Sequence, residues 1–185
     1  MLDETARIRL RRATPDDAEV LTRWDRDPDV VACTTDDPEA EVAFGDHDWR
    51  EEIGADSDVS FHVIAEEAGR PVGAMQIIDP HREPTHYWGD VEPGLRALDV
   101  WIGDPSDRGR GLGAEMMRAA HALCFATPDV TAIVIDPLES NTRAIRFYRR
   151  LGYVDEGPRI FDGVDRCRVM RLTRAAWAAG AARGG

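Results

Sequence analysis

Lysine is absent from this chain: all 23 basic residues are arginine. That removes every mechanism built on a lysine amine, a Schiff base included. Cysteine is scarce, and Cys33, Cys124 and Cys167 are widely spaced with no C-x-x-C pair. Neither a disulfide framework nor a zinc site is expected, and Cys124 reads as a small core residue. No apolar run approaches the roughly 18 residues of a membrane span, and Met1-Leu2-Asp3-Glu4 opens no signal-peptide core, so a cytoplasmic protein with no membrane partner is expected. Positive charge is in deficit, and the formal net charge is −12. Nucleic acid, which needs a basic face, is therefore not an expected partner, whereas a small cation would be attracted. The same acidity also simply keeps soluble proteins apart.

What is present fits one domain. The 185 residues are 43% hydrophobic and 31% charged, with no internal repeat and no low-complexity linker. A single domain over residues 1–185, its core at about 7–173, is expected, as a monomer or homodimer.

The chain is organised around Ser106-Asp107-Arg108-Gly109-Arg110-Gly111-Leu112-Gly113-Ala114-Glu115. Glycines at alternate positions allow a tight turn that gathers backbone N–H groups, and apolar residues at 112, 116, 119, 120 and 123 predict a helix starting there. Such a turn can cradle a pyrophosphate at a helix N-terminus or be only a tight connection. It matches neither the G-x-x-x-x-G-K-[ST] nor the G-x-G-x-x-G nucleotide pattern.

Along the chain, Ile8 and Leu10 alternate with arginines as in a half-buried strand. Thr14-Pro15-Asp16-Asp17 starts a helix predicted to reach about Asp27, with Ala18, Leu21 and Trp24 on its stripe. A second helix is predicted from Pro38 to Ile53, and together these form one wall of a cleft. Ser60–Ala65 and Pro71–Asp79 read as a hairpin. Pro80 to Gly94 is a Pro-rich, aromatic loop of the length that carries function. Leu95 to Gly103 follows as a strand with Ala97, Asp99 and Trp101 on one face and Leu98, Val100 and Ile102 on the other. A carboxylate in mid-strand needs a reason. Val130–Ile135 reads as a strand covered on both faces, ending in Asp136-Pro137. Ser140-Asn141 opens a helix closed by Gly152, two strands surround Asp162-Gly163, and Thr173–Ala179 adds a short terminal helix or frays.

Three motifs at this spacing, Arg108-x-x-Gly111-x-Gly113, Ile135-Asp136-Pro137 and Asn141-x-x-Ala144-Ile145-Arg146-x-Tyr148, resemble the GCN5-related N-acetyltransferases. Strand, two helices, three strands, helix, strand, helix, two strands is also that family's order, which implies its mixed α/β acyl-CoA N-acyltransferase fold. From Trp88 to Leu172 the chain is most similar to the aminoglycoside 6'-N-acetyltransferases. The resemblance implies acetyl-CoA as cosubstrate, no metal, and a cationic amine of an aminoglycoside as acceptor.

The roles it implies are specific. The backbone of Gly109, Arg110, Gly111, Leu112 and Gly113 takes the pyrophosphate, with Arg108 and Arg110 adding positive charge. The backbone of Trp101 and Ile102 holds the pantetheine arm, and Asn141 bonds that arm. Tyr148, seven residues beyond Asn141 and on the same helical face, is the acid that protonates the thiolate. Asp99 is the base, acting directly or through water; otherwise it pairs with an arginine such as Arg96. Asp136, at a strand's carboxyl end, binds a second substrate ammonium or simply ends the strand. Asp162 and Glu92 are further acids for the substrate, although Asp162-Gly163 is equally an ordinary hairpin turn; Tyr87 and Trp88 stack on a sugar ring or only cover the core edge, and Trp24 is a further candidate contact.

Two departures stand out. Val30-Val31-Ala32-Cys33-Thr34 occupies the place of paired tryptophans, and Glu92 replaces an aspartate. An acetyltransferase of another amine, N-hydroxylysine included, and a coenzyme A-binding module without turnover are the competing expectations.

Overall fold

The computed structural model describes residues 7–45 and 47–184. Seven strands make one sheet in the order β1-β2-β3-β4-β5-β7-β6. They are β1 (Ile8–Arg12), β2 (Ser60–Glu67), β3 (Arg70–Ile78), β4 (Leu95–Ile102), β5 (Ala132–Ile135), β6 (Val154–Phe161) and β7 (Asp165–Thr173). Every neighbouring pair is antiparallel except β4 and β5.

The period-2 pattern places two different cores on the two faces. On one face Val63, Met75, Leu98, Ile133 and Ile135 pack against α4 (Leu112–Phe125) and α5 (Thr142–Arg150) through Leu112, Met116, Met117, Ile145 and Tyr148. On the other, Ile64, Ala74 and Trp101 are covered by α1 (Ala18–Asp25), α2 (Pro28–Thr34) and α3 (Trp49–Gly54), with Leu21, Trp24, Val30, Trp49 and Ile53 buried. Each large side chain so buried contributes about 1.5–3 kcal/mol. A third cluster, Trp88, Leu95, Ala97, Val134, Leu138 and Phe161, closes the far end of this face.

The second predicted helix is corrected. Of residues 38–53, only the end is helical, and a helix lies instead at Pro28–Thr34, with the Asp27 carboxylate capping Asp29 N at 2.9 Å and proline at its first position. The intervening segment is irregular because the buried carboxylate of Asp25 captures it: Oδ1 accepts from Ala43 N (3.1 Å) and Phe44 N (2.9 Å), and Gly45 has φ +94°. Amides bonded to a side chain cannot join a helical ladder. The first helix ends at Asp25, before the expected Asp27, and the terminal helix, α6, runs over Arg174–Gly184. The wall of three short helices over the sheet nonetheless stands where two were expected.

Candidate active site

The site grows from one irregularity of the sheet. β4 and β5 pair in parallel only at Leu95↔Ala132, Arg96↔Ile133 and Ala97↔Val134. β5 then ends at Ile135 while β4 runs on to Ile102, so the two strands part like a fork. The strand edge exposed there can be assigned by alternation. Gly103 N donates to Val72 O on the β3 side (3.0 Å), and Gly94 O accepts from Thr131 N on the β5 side (2.7 Å). Odd-numbered residues of β4 therefore bond towards β3, and Val100 and Ile102 present their N–H and C=O to the fork.

At the base of the fork lie two carboxylates. Continuing the register beyond Ala97↔Val134 brings Asp99 opposite Asp136 on the face covered by α1 to α3. Solvent reaches part of each carboxyl, yet the surrounding protein strips both of most of their water. Burial pushes Asp99 up to about 7, the charge of Asp136 adding to the rise and His62 opposing it. Burial raises Asp136 to about 6, held back by a hydrogen bond from Tyr87 and by Arg159. The Asp99 carboxylate makes no hydrogen bond among the described residues, and the guanidinium of Arg96 lies instead against Asp79 at 3.2 Å. A desolvated, unpaired carboxylate near neutrality is suited to exchange a proton.

Tyr148 lies on α5, on the other face of the sheet, near enough for the charges of both carboxylates to act on it. It is 9% exposed, and its hydroxyl has no partner among the described residues. Burial, then the charges of Asp99 and Asp136, hold the phenol well above its ordinary range, so it keeps its proton at neutral pH. Cys33, exposed on α2, is among the groups acting on Tyr148, so that helix borders the site. Beyond α2 the chain crosses to the far side: Thr35 Oγ1 and Asp36 N donate to Asp165 Oδ1 (2.7 and 2.8 Å), and Ser140 Oγ donates to Asp36 Oδ1 (2.9 Å). This strap ties the helical wall to β7 and to the turn before α5.

Next to the open end of β4 is the glycine turn. Gly109 and Gly111 have φ +74° and +83°, and Gly111 caps α4 in the left-handed conformation. The amides of residues 109 to 113 find no acceptor among the described residues; the bonding of the helix begins with Ala114 N on Gly111 O (3.1 Å). Five successive free donors at a helix N-terminus form an anion nest. With the strand edge of Val100 and Ile102 leading from that nest to the carboxylates, the residues present fit a long pyrophosphate-bearing thioester such as acetyl-CoA.

The acetyltransferase (GNAT) domain family model matches residues 13–161. The chain belongs to the GNAT acetyltransferase family. Among similar proteins, aminoglycoside N(6')-acetyltransferase type 1 of Klebsiella pneumoniae is 37% identical over 90 residues, which are 48% of this chain and 45% of that protein. A kanamycin resistance protein of Rhizobium radiobacter is 40% identical over 76 residues, 40% of this chain and 70% of that one. The chain thus spans about half the length of the Klebsiella relative it matches. The crystal structure of aminoglycoside acetyltransferase AAC(6')-Ib in complex with coenzyme A superposes with a TM-score of 0.81 at 27% identity, covering 93% of this chain and 98% of that one.

Within this GNAT domain the expected residues divide into two sets. Asp99, Asp136, Tyr148, Ile102 and the 109–113 amides converge on the fork. Trp101 does not offer its backbone there; its carbonyl faces β3, where a Cβ on Gly73 would stand 2.5 Å from it, and its indole is core. Val100 takes its place, a residue that alternation along the strand could have indicated.

The two loop arginines are engaged elsewhere. Arg108 reaches back to α2, 2.6 Å from Asp29 Oδ2 and 3.0 Å from Asp27 Oδ1, and donates to Gly103 O at 2.8 Å. Arg110 is shared between Asp107 Oδ1 (2.6 Å) and Glu67 Oε2 (2.8 Å). Asn141 uses Oδ1 to cap Ala144 N at 3.0 Å, which leaves only its amide donors to meet an arm.

Four aromatic and acidic candidates also change standing. Trp24 is 1% exposed and packed on Gly103, and Trp88 is 5% exposed in the third cluster, so both are core rather than cleft surface. Glu92 is paired with Arg171 at 2.7 Å, and Asp162 stands at the exposed tip of the β6–β7 turn. Tyr87 does belong to the site: its ring stacks on Phe161 at 4.4 Å and its hydroxyl donates to Asp136 Oδ2 at 2.8 Å. Phe161 and the Glu83 carboxylate that bonds Tyr87 N at 2.7 Å carried no signal in the sequence.

Proposed function

We propose that this domain transfers the acetyl group of acetyl-CoA directly to an amine of an aminoglycoside in a ternary complex, the 6'-amine favoured, and thereby confers resistance to the drug in the cytoplasm. The observation that carries the proposal is the paired carboxylates Asp99 and Asp136 at the fork of β4 and β5, with the protonated phenol of Tyr148 within reach of their charges. The names of the similar proteins support the same acceptor class.

In this reading the 109–113 amides hold the pyrophosphate and the edge of Val100 and Ile102 holds the arm, so the thioester lies beside Asp99. Bound acetyl-CoA supplies an activated acyl group. The protein's part is to bring a free amine to it and to place charge-stabilising donors around it. An ammonium attracted by both carboxylates gives one proton to Asp99, directly or through water, which requires Asp99 to be ionised. The fork-facing N–H of Val100 or Ile102 stabilises the charge that develops on the thioester oxygen. Tyr148 donates its proton to the departing thiolate. Asp136 retains its charge and anchors a second ammonium of the substrate, which orients the first. Acetylation removes a positive charge and with it the attraction to the site, which favours release.

The test is thiol release from acetyl-CoA with kanamycin, a polyamine and N-hydroxylysine as alternative acceptors. Saturable release with kanamycin at low concentration supports the reading. Release with N-hydroxylysine or the polyamine alone would assign the same fork to another amine.

A further inference from the structure

Two carboxylates that face each other do not ionise independently: whichever takes the first charge raises the other. Sequence position does not decide which, since Asp99 and Asp136 are desolvated alike. Tyr87 does.

The loop that carries Tyr87 is fixed before any substrate arrives. The carboxylate of Glu83, 6% exposed, accepts from Thr85 N (2.8 Å), Thr85 Oγ1 (2.6 Å) and Tyr87 N (2.7 Å). His86 is held at φ +53°, its carbonyl accepting from Gly89 N at 2.7 Å. The Tyr87 ring then lies on Phe161 with 11° between the planes, and the hydroxyl meets Asp136 Oδ2. A phenol donates to the ionised form of a carboxylate and so favours it. Asp99 has no such donor. The other groups acting on the pair are Tyr148 from α5, His62 from β2, Arg159 from β6, and Cys167 and Asp165 from β7.

We infer that Tyr87 is a positioning residue that divides the labour of the two carboxylates: its hydroxyl fixes Asp136 as the standing anion that anchors the substrate and leaves Asp99 as the group that exchanges the proton. The inference rests on the acetyl-transfer reading for its kinetic consequences, but the division of charge exists in the free protein.

Tyr87→Phe keeps the ring and its stack and removes only the donor, so it separates this role from packing. With kanamycin, the ratio of the variant's KM to the wild-type KM should grow about fivefold from pH 8.5, where both carboxylates are ionised in either protein, to pH 6, where the variant's Asp136 has begun to protonate. An increase in KM by the same factor at every pH, or none at any, overturns the proposal. Carbon-13 carboxyl NMR of aspartate-labelled protein without substrate gives an independent readout: the lower midpoint of the pair should rise in the variant, and superimposable titrations would refute the inference. A raised midpoint in a protein that acetylates no aminoglycoside would leave the division of charge standing and remove only the proposed substrate.

Discussion

Asp99 and Asp136 stand opposite one another at the point where β4 and β5 cease to pair. The last backbone bonds between the strands end just below them, and the strand edge that would have bonded onward is open above them. The fork thus places a charge-bearing floor under a peptide-like slot. In the proposed reading that one relationship supplies both the edge that would hold a thioester and the base that would hold a cation.

The burial of Asp99 has a thermodynamic cost that a neutral isostere removes. Its folded-state value near 7 exceeds the ordinary carboxyl value, so the folded protein loses stability as pH rises from the unfolded value through 7. Asp99→Asn should therefore stabilise the fold by roughly 1–2 kcal/mol near pH 8, allowing for the solvent that reaches the carboxyl, and by progressively less as pH falls towards 4. Thermal melts of both proteins across this range check the sign.

Tyr148→Phe should slow turnover by about 10²–10³-fold, the range for loss of a general acid, with coenzyme A affinity within about twofold of wild type. Isothermal titration beside steady-state kinetics separates the two quantities. A large loss of affinity with little change in kcat would make Tyr148 a packing residue of the α5 face.

Arg108 distinguishes the sequence reading from the structure. If its guanidinium met the pyrophosphate, Arg108→Ala would weaken coenzyme A binding strongly. Because it is bonded to Asp27, Asp29 and Gly103 O, the expected result is a loss of about 1 kcal/mol in stability and little change in affinity. In the proposed reading the amides of 109–113 hold the anion with or without the Arg108 guanidinium.

These cases mark what was legible in the sequence. The glycine turn, the face alternation of Leu95–Gly103, the strand-ending Asp136 and the helix bearing Tyr148 are local patterns, set by backbone period and by φ requirements, and they lie where expected. What was not legible depends on partners far along the chain. Arg108 finds Asp29 across 79 residues, Arg110 finds Glu67 across 43, and Tyr87 finds Asp136 across 49. The helix expected over Pro38–Ile53 forms only at its end, because the side chain that captures Ala43 and Phe44, Asp25, lies in another helix. Trp24 and Trp88 looked like cleft aromatics, and only the packing around Gly103 and Phe161 identifies them as core.

The Trp24 contact is itself a test of the helical wall. A Cβ on Gly103 would fall inside the indole of Trp24. Gly103→Ala should cost about 1–3 kcal/mol and lower Tm by roughly 2–12 °C, because a buried indole in a packed wall has no free rotamer to adopt. An unchanged Tm would mean that α1 moves freely against β4.

The most direct test of the account compares wild type with Asp99→Asn in thiol release from acetyl-CoA with kanamycin as acceptor. Wild type should give saturable release with an acid limb in kcat/KM that falls away below about pH 7, and the variant should lose at least about a hundredfold near pH 8. Equal rates in the two proteins, or no release by wild type with any aminoglycoside, would contradict the account.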